Sequence, residues 1–359
     1  MLIPTTYAAT IVLLVFALLC WGSWANTLKQ SKWRFELYYI DFSLGAVIAA
    51  VVLAFTVGSM GTEISVQDNF LLSGKKQILY AFIAGCVFNL ANMLLVAAID
   101  LIGMSIAFPV AMGLALIVGV GWNYFMLQTG SVPALAVGCV LLLIAVIMAS
   151  IAQGKMAAIR SRFAAEKLLA ETPVESVLPA KKKRSDMPAG PSAYLGVWIA
   201  VIGGLLLGAF YPIAATSMEG ELGFSNPLAV TLVASIGILL STIIYNLYFM
   251  NLPVRGLPIS FFAYFTGTLK QHALGMAGGL LWMAGTCAAY SASLAQADSK
   301  ATPTTTYAIT QAATLLSVFW GLWLWKEFAD ADSGVKRQLA IMLALFIAGI
   351  ALVAIAPLY

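Results

Sequence analysis

Ten apolar blocks, each about 20 residues long, follow one another along the chain with short polar stretches between them. They run approximately Tyr7–Asn26, Tyr39–Met60, Ile78–Ala98, Ser105–Leu127, Val132–Ala152, Ala193–Thr216, Pro227–Met250, His272–Gln296, Thr305–Trp325 and Gln338–Pro357. About 20 apolar residues cross a bilayer core as helix, so the pattern predicts an all-α polytopic membrane protein with ten transmembrane helices. The first block has no basic residues before it and is too long for a cleaved leader, so it reads as a retained span. Between the fifth and sixth blocks lies Gln153–Pro191, which carries Lys181-Lys182-Lys183-Arg184 and four prolines. It reads as an aqueous linker. Its first part, Met156–Ala170, has the pattern of a short amphipathic surface helix, and its later part has the composition of disorder. The expected domains are a five-helix unit at 1–152, a basic linker at 153–191 and a second five-helix unit at 192–359.

Composition agrees with this plan: 62% of the 359 residues are hydrophobic and 9% charged, against roughly a quarter charged in a soluble domain. The formal charge of +4 does not imply a nucleic-acid partner, because the basic residues are confined to loops. Those after the first, third, fifth, seventh and ninth blocks hold sixteen of the nineteen Lys and Arg. Positive residues stay inside, which makes the linker cytoplasmic and turns both termini outward in a multi-pass cell-membrane protein. Five is odd, so the two halves enter the bilayer in opposite directions, and an inverted 5+5 repeat becomes the expected architecture. One histidine and four scattered cysteines, Cys20, Cys86, Cys139 and Cys287, leave no metal cluster or disulfide framework to read. No GxxxxGK[ST], HExxH or GxSxG is present, so neither an enzyme nor a bound cofactor is expected.

The halves also resemble one another. Leu19-Cys20-Trp21-Gly22-Ser23-Trp24-Ala25-Asn26-Thr27 faces Leu207-Gly208-Ala209-Phe210-Tyr211-Pro212, both placing an aromatic beside a helix-loosening residue. Ala84-Gly85 is followed by Asn89 and Asn92 at the offsets at which Ala277-Gly278 is followed by Trp282 and Gly285. Polar groups in hydrocarbon need partners or a water-filled cavity. Tyr307, Thr310, Gln311, Thr314 and Ser317 fall on one face of the ninth block, where they read either as glue between helices or as a cavity lining, with the large amide of Gln311 favouring the lining. Trp282, Thr286 and Tyr290 follow at steps of four in the eighth block; Thr231, Ser235, Thr242, Tyr245 and Asn246 recur in the seventh. The candidate binding set is therefore Trp21, Trp24, Asn26, Asn89, Asn92, Tyr211, Trp282, Thr286, Tyr290, Tyr307, Thr310 and Gln311. Without an internal Arg or Lys cluster, it suits a small neutral hydrogen-bonding solute. Asp41 reads equally as a proton-coupling carboxyl or as a structural partner of Lys29, Lys32 or Arg34. Asp100, Glu327 and His272 read as interfacial. Gly203-Gly204, Gly113, Gly119 and Gly121 permit close helix approach or flexing, and Pro109 and Pro212 could loosen their helices where a gate would bend.

Trp21-Gly22-Ser23-Trp24, Tyr39-Ile40-Asp41-Phe42-Ser43, Asn89-Leu90-Ala91-Asn92, Gly103-Met104-Ser105 and Trp122-Asn123-Tyr124-Phe125, with the ten spans and basic linker, resemble the ureide permease family of the drug/metabolite transporter superfamily, near the glucose/rhamnose porters. The resemblance implies an inverted repeat with a central site, alternating access and proton-coupled uptake of allantoin, uracil or related heterocycles. Plant members carry a nucleotide-loop-like segment; here Gln153-Gly154-Lys155-Met156 lacks the needed glycines and hydroxyl, so ATP use is not expected. Sugar uptake or broad metabolite export on the same fold, and a scaffold or sensor acting through the linker, are the alternatives. A monomer or homodimer in the bilayer, with a proton or other coupling ion, completes the expected partners.

Overall fold

The computed structural model describes residues 4–60, 64–127, 131–171, 194–293 and 303–356, and the described residues contain helices, turns and no strand. In chain order the helices are α1 (Tyr7–Ser23), α2 (Ala25–Ser31), α3 (Phe35–Phe55), α4 (Val66–Leu72), α5 (Lys75–Ile102), α6 (Met104–Leu127), α7 (Val132–Glu171), α8 (Leu195–Thr216), α9 (Pro227–Asn251), α10 (Leu269–Ser293), α11 (Pro303–Phe319) and α12 (Ser333–Ile355). A 3-10 turn, Phe261–Thr266, precedes α10, and a π turn, Trp320–Leu324, continues α11. Several starts are capped as their residue types favour. Thr6, Ser65 and Asp332 accept first-turn amides, and Asn226 does the same ahead of Pro227.

Nine helical segments among the described residues are long and apolar enough to cross a bilayer, and the chain is a multi-pass, all-helical membrane protein. They match nine of the ten predicted blocks. The remaining block, Thr305–Trp325, appears as the 17 residues of α11 running into the five-residue π turn. The fifth span and the first part of the expected linker form one unbroken helix, α7, of 40 residues. At 1.5 Å per residue it is roughly 60 Å long, about twice a bilayer core, so the expected surface helix is the protruding end of α7. The linker beyond residue 171 lies outside the described residues.

Each helix has a small set of main neighbours. α5 packs on α8 and α9, α10 on α3 and α1, α3 on α9, α6 on α8 and α7, α11 on α1 and α6, and α7 on α12. Glycines set the closest of these approaches. A methyl on Gly85 would lie 2.0 Å from the Ala234 carbonyl oxygen, and one on Gly237 would lie 2.4 Å from that of Phe82. The α3–α10 crossing repeats the arrangement: a methyl on Gly279 would meet the Phe42 oxygen at 1.9 Å, and one on Gly45 the Met276 oxygen at 2.1 Å. In both crossings the glycine and the carbonyl it faces alternate at a spacing of three residues on each helix. Gly85 thus corresponds to Gly279. The correspondence of Gly85 with Gly278 expected from sequence is displaced by one residue.

Candidate functional site

Register at these crossings determines what meets near the middle of the bundle. One turn beyond Gly85 stands Phe88, and one turn beyond Gly279 stands Trp282; their rings stack with centroids 4.3 Å apart and planes inclined by 26°. Phe210 of α8 meets Phe88 edge-on at 5.2 Å. Around them a narrow cavity of about 20 Å³, room for about one water as the rings now stand, lies between α5, α8, α9 and α10, walled by Phe88, Phe210, Ile238, Trp282, Thr286 and Tyr290 among others. Its wall is almost wholly apolar. Trp21 of α1 braces two of these residues, its indole N–H donating to the Trp282 carbonyl at 3.3 Å and to the Thr286 hydroxyl at 3.2 Å. Edges and faces of aromatic rings, with Thr286 as a polar group, suit a flat solute more than a chain-like or strongly charged one.

Other residues of the predicted set stand elsewhere. The Asn89 amide donates to Ser241 at 2.7 Å and to Thr242 at 3.1 Å, and Asn92 donates to the Tyr39 hydroxyl at 3.0 Å; both amides are buried and tie α5 to its neighbours. Trp24 is 2% exposed and packs on Phe42 and Phe108. Asn26 accepts the Trp325 indole N–H at 2.7 Å. On α11, Ser317 donates to the Gly22 carbonyl at 3.1 Å, while Thr310 and Gln311 are half-buried. The α11 stripe therefore faces α1 and α6 at its deep end, and α5 is not among the main neighbours of α11. The side chains of Tyr211 and Tyr307 lie outside the described residues.

Asp41 has partners that its sequence neighbourhood does not suggest. The Tyr264 hydroxyl donates to Oδ1 at 2.6 Å, and His272 Nδ1 lies 2.8 Å from Oδ2. Trp33 stacks on Tyr264 with centroids 6.0 Å apart and meets His272 edge-on at 4.9 Å. Gly275 sits against the Asp41 Cβ, where a methyl would come within 2.6 Å. The expected pairing with Lys29, Lys32 or Arg34 is thus replaced: Lys29 pairs with Glu327 and Arg34 with Glu36. His272, expected as an interfacial side chain, instead joins the two halves of the chain. Burial, and then the Asp41 carboxylate that accepts its O–H, push the Tyr264 phenol well above the usual tyrosine range, which keeps it a donor.

A second opening, wide and charged, lies between the start of α3, the end of α5, Arg160 of α7 and the segment Trp325–Glu327. Lys29, Lys32, Arg34, Arg160, Arg255 and Lys326 outnumber Glu36, Asp100 and Glu327 on its wall. Asp100 and Glu327, expected at an interface, line this opening.

The ureide permease family model matches residues 38–172. Ureide permease 4 of Arabidopsis thaliana is 25% identical over 98% of both chains. The chain is similar to ureide permeases. Ureide permeases 1 and 2 of the same plant are each 26% identical over 95% of both chains. The similarity spans both halves, and the relatives are named permeases rather than enzymes.

Proposed function

We propose that the chain is a secondary transporter of a ureide or related neutral heterocycle, built as an inverted repeat of five helices, with its site at the Phe88–Trp282 stack. The observation that carries the reading is that these two rings stand at equivalent positions of the two halves and close on each other. Further support comes from the helix neighbours. Exchanging each of α1, α3, α5, α6 and α7 with α8, α9, α10, α11 and α12 turns the pairs α5–α8, α5–α9 and α6–α8 into α10–α1, α10–α3 and α11–α1, and leaves α7–α12 and α3–α9 in place. A duplicated, oppositely inserted bundle produces that symmetry. The repeats are 1–152 and 192–359, joined by the linker 153–191.

The names of the near-full-length relatives select ureides among flat, hydrogen-bonding solutes. Thr286, whose hydroxyl donates to the Trp282 carbonyl and accepts from Trp21, and Tyr290 stand beside the aromatic faces, and rocking of one repeat against the other exposes the pocket to alternate sides. Gln311 and Thr310 of α11 complete the solute path, with Tyr307 and Tyr211 as further candidates from the two halves. Asp41 takes up the coupling proton, with His272 and Tyr264 holding it. The linker is cytoplasmic and both termini face outward, in accord with the loop charges.

Uptake of labelled allantoin into proteoliposomes tests the reading. Saturable uptake is expected, and Trp282→Ala should lower its efficiency at least about tenfold, a loss of about 1.4 kcal/mol of solute stabilisation, while the protein stays folded. No uptake of allantoin together with saturable uptake of a hexose would reject the substrate. Unchanged kinetics in Trp282→Ala and Phe88→Ala would reject the site.

A further inference from the structure

The side chain of Glu327 is held as if it were a bound ligand. Its two oxygens accept the first amides of α6, Met104 N–H at 2.8 Å and Ser105 N–H at 2.8 Å, and Lys29 closes the ion pair from α2. Two glycines make room for it. Gly103 has φ +83°, and a methyl there would fall 2.6 Å from the Glu327 carboxyl carbon; a methyl on Gly321 would fall 2.3 Å from Ser105 Oγ and 2.7 Å from Glu327 Oε2. Ser105 Oγ, fully buried beside the same gap, has no hydrogen-bond partner. The cradle therefore offers a carboxylate two backbone donors at a helix N-terminus, an ammonium and an unused hydroxyl.

The residue that fills the cradle is on the part of the chain best suited to leave it. Glu327 follows the π turn Trp320–Leu324, a geometry frequent at functional sites, and Lys326 beside it sits at φ 49°, unfavourable for a residue with a Cβ. In front lies the wide opening where basic residues, Lys32, Arg160, Arg255 and Lys326 among them, exceed acidic ones. Such a mouth concentrates small anions. We propose that this cradle is a carboxylate-binding site, occupied here by Glu327 as a tethered ligand, and that it takes the carboxylate of a free solute when the end of α11 withdraws. The site is separate from the aromatic pocket and does not depend on the transport reading.

The test uses the purified full-length chain and sodium acetate, with sodium chloride at matched ionic strength as the control. Glu327→Ala stands for the withdrawn state. Acetate should raise its Tm saturably, on the order of 2 °C at ten times the half-saturating concentration, and should leave the wild type unmoved because Glu327 fills the cradle. Adding Lys29→Ala to Glu327→Ala should abolish the response. If Glu327→Ala gives no folded protein, the same titration on Glu327→Gln decides, with a weaker saturable response expected because the amide competes. Absence of a saturable response in the folded variant, or an equal response without Lys29, overturns the proposal. No solute gradient is involved, so the result is independent of whether allantoin is carried.

Discussion

Asp41 is almost sealed from solvent, its side chain 2% exposed, while the His272 ring beside it is 25% exposed. The carboxylate thus meets solvent only beyond its two partners, His272 and the half-buried Tyr264. If Asp41 carries the proton, Asp41→Asn should erase acid stimulation of allantoin uptake, and His272→Gln should flatten it; acid stimulation retained in both would locate coupling elsewhere. Tyr264→Phe leaves a buried carboxylate one donor short, which costs about 2 kcal/mol for a hydrogen bond to a charged group. The purified variant should therefore unfold at lower temperature, and an unchanged Tm would mean that the hydroxyl does not hold Asp41. A carboxyl inside an apolar block was legible in the sequence as something needing a partner. Its partners were not, because Tyr264 and His272 lie 223 and 231 residues away and no local spacing encodes that proximity. Phe88 was missed for another reason: as an apolar residue in an apolar block it gives no signal until register pairs it with Trp282.

Between elements, some glycines are met by another backbone, some by side chains such as Leu316 at Gly22, and some by nothing. Gly45, Gly85, Gly237 and Gly279 each have a carbonyl oxygen inside the space a methyl would need. Gly119 and Gly121 have nothing within 4 Å of that space. Replacing any of the first four with alanine should lower stability by about 1–3 kcal/mol, the usual cost of overpacking, with similar losses for Gly85 and Gly279 because their surroundings match. Gly119→Ala should be neutral or stabilising by up to about 1 kcal/mol from helix propensity. Thermal unfolding of the purified variants reads both, and a tolerant Gly85→Ala would mean that the two crossings are not equivalent. Sequence alone grouped Gly113, Gly119 and Gly121 with Gly203 and Gly204 as sites of close approach or flexing; close approach is found at Gly203 and Gly204, against Ala91 and Ala111, and at Gly113, against Val146. Glycine in a span permits contact without stating with what. The elements themselves were legible because length and hydropathy suffice for a crossing helix; α2, α4 and the 3-10 turn were not, being short and held by tertiary contacts.

In the whole molecule, the inverted repeat requires α11 to cross the bilayer. Lys155 donates to Gln338 near the start of α12, and Arg160 to the carbonyl of Glu327, while Ser131 at the other end of α7 donates to Ala356 beyond the end of α12. Thus α12 starts at the end of the bundle from which the linker leaves. His272, at the start of α10, lies beside Trp33 and Asp41, whereas Ala288 and Ala289, further along α10, pack with Ala17 towards the start of α1. A chain that climbs α10 away from the linker end and is back there by Glu327 is what the proposed repeat expects if α11 recrosses. Single cysteines in a background with the four native ones replaced by alanine translate this into labelling by a membrane-impermeant thiol reagent. Lys76→Cys, between the second and third spans, should label on intact cells. Arg255→Cys and Lys336→Cys should label only after permeabilisation. Labelling of Lys336→Cys on intact cells, with Arg255→Cys still protected, would give α11 no crossing and place the halves in unequal numbers of spans. The inverted repeat, and with it the equivalence of Phe88 and Trp282, would then fail together.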